Sequence, residues 1–240
     1  MDYLYKYFAQ LKRQGPGSAQ NTKKALAFIS GLDSNSKIVD LGCGTGTQTL
    51  ELAEQLDGNI IGYDLSETFI DILNKNTKSE RVKGVVGSMD DYSLIGNNLD
   101  LIWSEGSIYN IGFKRGINEW YKLLKQGGYL AASEPTWLTE KRPKEIEDFW
   151  NNEYPEIDTL DIKTQQMQEA GYTNINTFVI SEDCWIENYY KPQESLNEKF
   201  LIEYPENEDV KLFIEEMKNE AELYYKYREY YGYVFYIGRR

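Results

Sequence analysis

Lys37-Ile38-Val39-Asp40-Leu41-Gly42-Cys43-Gly44-Thr45-Gly46-Thr47 is the stretch that decides how this chain is read. A short apolar run ends in a carboxylate and then in three glycines at alternate positions. Thr49, Leu50, Leu52, Ala53 and Leu56 follow at helical spacing. The stretch predicts a strand, a tight glycine turn and a helix. Glycine permits positive φ and lets another molecule approach the backbone. The first turn of a helix presents unpaired N–H groups. The turn is therefore a candidate ligand site.

Working outward, strands and helices alternate to about residue 135. Residues 59–65 read as a second strand ending near Asp64, and Phe69, Ile70, Ile72 and Leu73 as the face of a second helix. A third strand at 82–87 runs into Ser88, Met89, Asp90 and Asp91. A fourth at 99–105 ends in Ser104 and Glu105. Ile117, Trp120, Tyr121 and Leu124 share a helix face, which Gly127-Gly128 terminates. A fifth strand spans 129–133. This alternation implies right-handed βαβ units and a doubly wound α/β fold, with a mostly parallel sheet and helices on both faces. Ligands of such sheets bind beyond the carboxyl ends of the strands. Asp40, Asp64, Asp90 and Glu105 all fall at or just past those ends.

The flanks are less regular. Residues 1–36 read as an N-terminal helical cover, broken at Gly15-Pro16-Gly17 by either a turn or a loop that closes over the site. A helix is expected at 159–170, a strand at 174–181 and a last strand at 233–238. Between the last two, 182–232 is too long for a structureless connection. Val210, Phe213, Ile214, Met217, Ala221 and Tyr224 form an apolar stripe there, so it reads as a helical insertion, a lid or an interface. The expected organisation is one domain over 1–240, with its core at 37–181 and 233–240.

Composition narrows the function. The formal charge is −13, which argues against a general nucleic-acid binder. The acid is concentrated: residues 140–230 hold 23 acidic and 10 basic side chains, and the remainder is neutral. That segment is either a solvated helical surface or a cover that favours a cationic ligand. Two unpaired cysteines, Cys43 and Cys184, imply neither a disulfide framework nor a zinc site, so no metal is expected. There is no histidine, which excludes an imidazole base. The amino-terminal residues lack a leader pattern and no apolar run reaches membrane-spanning length, so a cytoplasmic protein with no membrane partner is expected. A homodimer is allowed for.

The spacing Gly42-x-Gly44-x-Gly46 departs from a dinucleotide fingerprint, which places its third glycine where this chain has Thr47. Asp40 would repel a pyrophosphate and favour a ligand with a cationic centre. Asp64 lies 18 residues past the last glycine, near the interval at which such sheets place a ribose-binding acid.

At these residues the chain resembles the S-adenosylmethionine-dependent methyltransferases of the Rossmann-like class. Val39-Asp40-Leu41-Gly42-Cys43-Gly44-Thr45-Gly46 looks like their first motif. Asp64 matches the ribose-binding acid, with Leu65 against adenine. Gly87-Ser88-Met89-Asp90 matches the adenine-contacting stretch, with Asp90 accepting from the amino group. Residues 99–106, including Ser104, resemble the fourth-strand motif, and 123–130 the approach to the fifth strand. The chain most resembles the small-molecule group related to ubiquinone-biosynthesis methyltransferases.

The resemblance implies an S-adenosyl-L-methionine cofactor and a small-molecule acceptor. Gly42, Gly44 and Gly46 become close-approach positions, and Asp40 a partner near the methionine end. Residues 106–112, with Tyr109, face the acceptor. Ser104-Glu105-Gly106-Ser107 is not the Asn/Asp-Pro-Pro-aromatic signature of nucleic-acid amino methyltransferases. If the acceptor must lose a proton, the candidate bases are Glu105, Glu134 and Tyr109. Trp103 or Tyr109 could stabilise the sulfonium, and Trp137 either lines the pocket or packs. The competing readings are a cofactor-binding sensor without catalysis and a nicotinamide enzyme, the latter disfavoured by Thr47 and Asp40.

Overall fold

The computed structural model describes residues 2–240. Two helices, α1 (Asp2–Phe8) and α2 (Ala19–Leu26), precede the sheet. Then follow β1 (Lys37–Leu41), α3 (Thr47–Gln55), β2 (Asn59–Asp64), α4 (Glu67–Asn76), β3 (Val82–Val86), α5 (Tyr92–Ile95), β4 (Leu99–Ser104), α6 (Phe113–Leu123) and β5 (Leu124–Trp137). The later half adds α7 (Lys144–Glu153), β6 (Asp158–Thr159), α8 (Leu160–Glu169), β7 (Thr173–Val179), α9 (Glu182–Trp185), α10 (Lys191–Glu203), α11 (Glu208–Tyr227) and β8 (Tyr231–Arg239).

Among the described residues, the strands form one eight-stranded sheet in the order β3-β2-β1-β4-β5-β8-β7, with β6 pairing β5 off this path. The strands from β3 to β5 are parallel, and β8 runs antiparallel to both β5 and β7. β4 is buried along its whole length, as expected of a strand covered on both faces. Alternate residues feed opposite faces. Ile38, Ile60 and Trp103 enter one cluster with Leu52 of α3, while Val39, Leu41 and Ile102 enter another with Trp120 of α6.

Helix starts are written locally. Ser18, Ser66, Thr159 and Asn207 each accept a hydrogen bond from a backbone N–H three residues on.

Two expectations needed enlarging. β5 and β8 are longer than the runs 129–133 and 233–238, because they pair from Tyr129↔Arg239 to Trp137↔Tyr231. The helical insertion opens with α9 and a π-helical turn, Ile186–Tyr190. It is also built into the body of the protein: Trp185 stacks on Tyr224 at 4.5 Å and 13°, and both belong to the main core cluster. Further along, α10 and α11 pack on α1 around Tyr7, Phe200 and Phe213.

Candidate active site

The glycine turn forms because its backbone folds onto β2. The N–H groups of Gly42 and Cys43 both donate to the Tyr63 carbonyl, at 2.8 and 2.9 Å. Gly42 has φ +75°, and a Cβ there would lie 2.5 Å from Ser107 Cβ and 3.0 Å from Met89 Cε. Gly44 faces the side chain of Gln14 just as closely, also at positive φ. Only glycine serves at both positions.

Asp64, at the end of β2, accepts from the N–H groups of Gly44 and Ser66, each at 2.9 Å. Burial pushes its pKa up, and the N–H donors pull it back. The fixed carboxylate lines a cleft of about 600 Å³. Leu65, 68% exposed, and Ser88, Met89 and Asp90 line the same cleft. Asp90 accepts from the Ser88 hydroxyl and from Arg115 at 3.0 Å, bonds that hold its pKa below the usual carboxylate range. Tyr5 of α1 and Phe69 of α4 close another part of the wall, edge to face at 5.6 Å.

Other expected residues fall elsewhere. Asp40 is fully buried, accepts from Thr49 Oγ1 at 2.6 Å and does not line the cleft. Its other oxygen has no hydrogen-bond partner, and burial raises its pKa to about 7. It braces the strand-to-helix turn from behind. Cys43 and Ser104 are fully buried too. Ser104 shares a 2.8 Å hydrogen bond with Ser107, whose hydroxyl is 2.6 Å from the Leu41 carbonyl oxygen; Ser107 is the one that reaches the cleft.

Glu105 does not suit the role of a base. Arg13 holds it at 3.0 Å while also pairing with Glu51, and Thr22 donates to it at 3.4 Å. Glu134 is fully buried. It is bound at 2.6 Å by both Lys163 and the Tyr154 hydroxyl, and burial raises its pKa to about 7. Trp103 and Trp137 are packed in the core.

Tyr109 stands at the meeting of two spaces. It lines the cleft and also a second cavity of about 200 Å³, and Gln14 is likewise shared. Burial raises the Tyr109 pKa, so the phenol stays neutral. The second cavity is walled by Trp150, Trp185, Tyr189 and Tyr233, with Glu153 and Glu220 among them. Trp185 and Tyr233 meet at 4.7 Å and 68°. Gln14 roofs the junction. Its Oε1 accepts from Thr45 N at 2.9 Å, and its Nε2 donates to the carbonyls of Phe8 and Leu11 at 3.0 and 3.1 Å. Asn188, in the π turn, donates to the Gly17 carbonyl at 2.8 Å. Gly15 and Pro16 line the second cavity and the adjoining narrow pocket.

Sequence reasoning missed Gln14, Glu153 and Glu220. For Glu220 a signal existed: it lies seven residues past Phe213 and three past Met217, so it interrupts the apolar stripe of α11 with a carboxylate.

The fold and the glycine-turn cleft define a Rossmann-like methyltransferase architecture. Residues 38–128 match the family model described as a methyltransferase domain. Phosphoethanolamine N-methyltransferase of Plasmodium falciparum (isolate 3D7) is 28% identical over 213 residues, covering 83% of this chain and 74% of that protein. Demethylmenaquinone methyltransferase of Lactococcus lactis is 30% identical over 130 residues, covering 49% of this chain and 48% of that protein, in keeping with the quinone-biosynthesis resemblance. The chain spans about a third of the length of the plant phosphoethanolamine N-methyltransferases that it matches, 34% and 33% for those of Arabidopsis thaliana and Triticum aestivum. A methyltransferase from Geobacter sulfurreducens, solved with S-adenosyl-L-homocysteine, superposes with a TM-score of 0.84 at 17% identity, over 100% of this chain and 98% of that one.

Proposed function

We propose that this protein transfers a methyl group from S-adenosyl-L-methionine to a small-molecule acceptor. The observation that carries this reading is the junction at Gln14 and Tyr109, where the Asp64 cleft meets an aromatic cavity. The residues present fit the cofactor. Asp64 is fixed by two N–H groups and keeps lone pairs for the ribose hydroxyls. Gly42 and Gly44 leave room for close backbone approach. Leu65 and Met89 offer apolar surface to the base, and Asp90 accepts from its amino group.

When bound, the sulfonium supplies an electrophilic methyl group with its own leaving group. The protein's part is alignment: the cleft holds one reactant, the cavity the other, and the Gln14 roof excludes water. Alignment of this kind supplies roughly 7–11 kcal/mol in well-oriented systems and suits in-line displacement. Glu105 and Glu134 are tied up in ion pairs, so neither serves as base. We read 1–240 as one domain acting on a small molecule rather than on nucleic acid, whose phosphates its acidic surface would repel.

Calorimetry with S-adenosylmethionine, S-adenosylhomocysteine and NAD tests the cleft. Asp64→Ala is expected to weaken binding of the first two by about 1.5–3 kcal/mol, the scale of a charged hydrogen bond. Unchanged affinity, or binding of NAD alone, would sink the assignment. Release of S-adenosylhomocysteine across a panel of amine, thiol, hydroxyl and carbon acceptors tests turnover.

A further inference from the structure

The cavity beyond Tyr109 carries charge of one sign. Two carboxylates line it, exposed Glu153 from α7 and half-buried Glu220 from α11; among the described residues no lysine or arginine does. The guanidinium of Arg13, in the adjoining narrow pocket, is held by Glu51 and Glu105. Lys163 is held by Glu134 and lies outside the lining.

Glu220 accepts from the Tyr190 hydroxyl at 3.0 Å, and no protein cation offsets its charge in the cavity. Burial, reinforced by Glu153, pushes its pKa up to about 7. A charged carboxylate on the apolar stripe of a helix is costly unless it takes up a proton or something of opposite charge meets it. The remaining wall supplies aromatic faces, which attract cations, above all when water is excluded. A phosphate would meet two carboxylates and no cation. At about 200 Å³, the space is below the usual range of ligand pockets, ~300–1,000 Å³.

We infer that this cavity takes a small cationic amine bearing no phosphate, its charge held between the Glu220 carboxylate and the faces of Tyr109, Trp185 and Tyr233. The inference rests on the methyltransferase reading and names the acceptor class of that site. It departs from the phosphoethanolamine N-methyltransferases, whose name specifies a phosphorylated amine: here the amine half finds partners and the phosphate half finds none.

Choline and phosphocholine are suitable probes, each titrated calorimetrically into the S-adenosylhomocysteine complex and into the free protein. Choline is expected to bind, and phosphocholine to bind more weakly. Glu220→Gln keeps the shape and removes the charge. It is expected to lower choline affinity by about 10- to 100-fold, the range of a hydrogen bond to a charged group, and to leave S-adenosylhomocysteine affinity unchanged. Glu220→Asp should recover part of the loss.

Because proton and cation compete for Glu220, choline affinity should rise as pH increases through about 7, and Glu220→Gln should flatten that rise. The groups facing Glu220 are Tyr190, Tyr189, Tyr109, Tyr231 and Tyr233, whose pKa values burial raises so that they stay neutral, and Glu153. Phosphocholine binding as tightly as choline or more so, no binding of choline, or unchanged affinity in Glu220→Gln would each overturn the inference. Failure of the wild type to bind S-adenosylhomocysteine would overturn the methyltransferase reading instead, and the free-protein titration would still decide the amine.

Discussion

Lys163 and Glu134 form an ion pair with side chains only 1% and 0% exposed, and Tyr154 completes it through a 2.6 Å hydrogen bond. The ammonium also lies 4.6 Å from the Phe113 ring centre. Removing one member of such a pair strands a buried charge. Lys163→Met is expected to cost about 3–5 kcal/mol of unfolding free energy in urea titrations. Lys163→Met with Glu134→Leu should recover most of that loss, because neither charge is then left alone. A double variant as unstable as the single one would show that the pair contributes beyond mutual neutralisation. Residues of this kind mark the limit of reading a sequence. Asp64 and Gly42 could be placed at strand ends from the sequence because each closes or follows a short apolar run, β2 and β1. The engagement of Glu105 was not, since Arg13 comes from 92 positions earlier. Asp40 was legible as an end-of-strand carboxylate, but its direction was not: its side chain turns back to Thr49, away from the cleft.

At the scale of elements, the order of strands and helices from β1 to β5 was readable from the apolar runs of parallel strands, except for the short helix α5 and the start of β5, which takes in Leu124 and the Gly127-Gly128 pair expected to end the preceding helix. The ends of β5 and β8 were not readable, since their length is set by pairing with each other. The insertion was legible as helical from its stripe, yet its partner, α1, lies at the far end of the chain. Phe213 of α11 meets Tyr7 of α1 at 5.0 Å, ring to ring, nearly perpendicular. Phe213→Ala is expected to cost about 3–5 kcal/mol in thermal or chemical unfolding, as for other large aromatic truncations. It should also weaken cofactor binding modestly, because α1 carries Tyr5 to the cleft wall. Full cofactor affinity in the truncated variant would show that α1 is held there by other contacts.

The whole molecule carries thirteen negative charges in excess and buries several of its carboxyl groups. Asp40 and Glu220 are both pushed up to about 7. A carboxyl group whose pKa is higher in the folded state binds its proton more tightly there, so its contribution favours folding below the ordinary carboxylate range. That contribution is lost as pH rises to about 7 and is constant above it. Self-repulsion of the net charge acts in the same direction. The midpoint of chemical unfolding is therefore expected to fall between pH 5 and pH 8, and Asp40→Asn, neutral throughout, should make the fall shallower. A midpoint rising over that interval would contradict the burial of these groups as charged-form penalties.

Gln14 and Tyr109 belong to both compartments, and Gln14 is bonded to the glycine turn itself. A partition common to two compartments is the place where occupancy of one can bear on the other. Whatever factor filling the cleft contributes to affinity in the cavity, filling the cavity returns to the cleft. On the proposed reading, this single pair of side chains stands where the cofactor and the acceptor would each feel the other's presence.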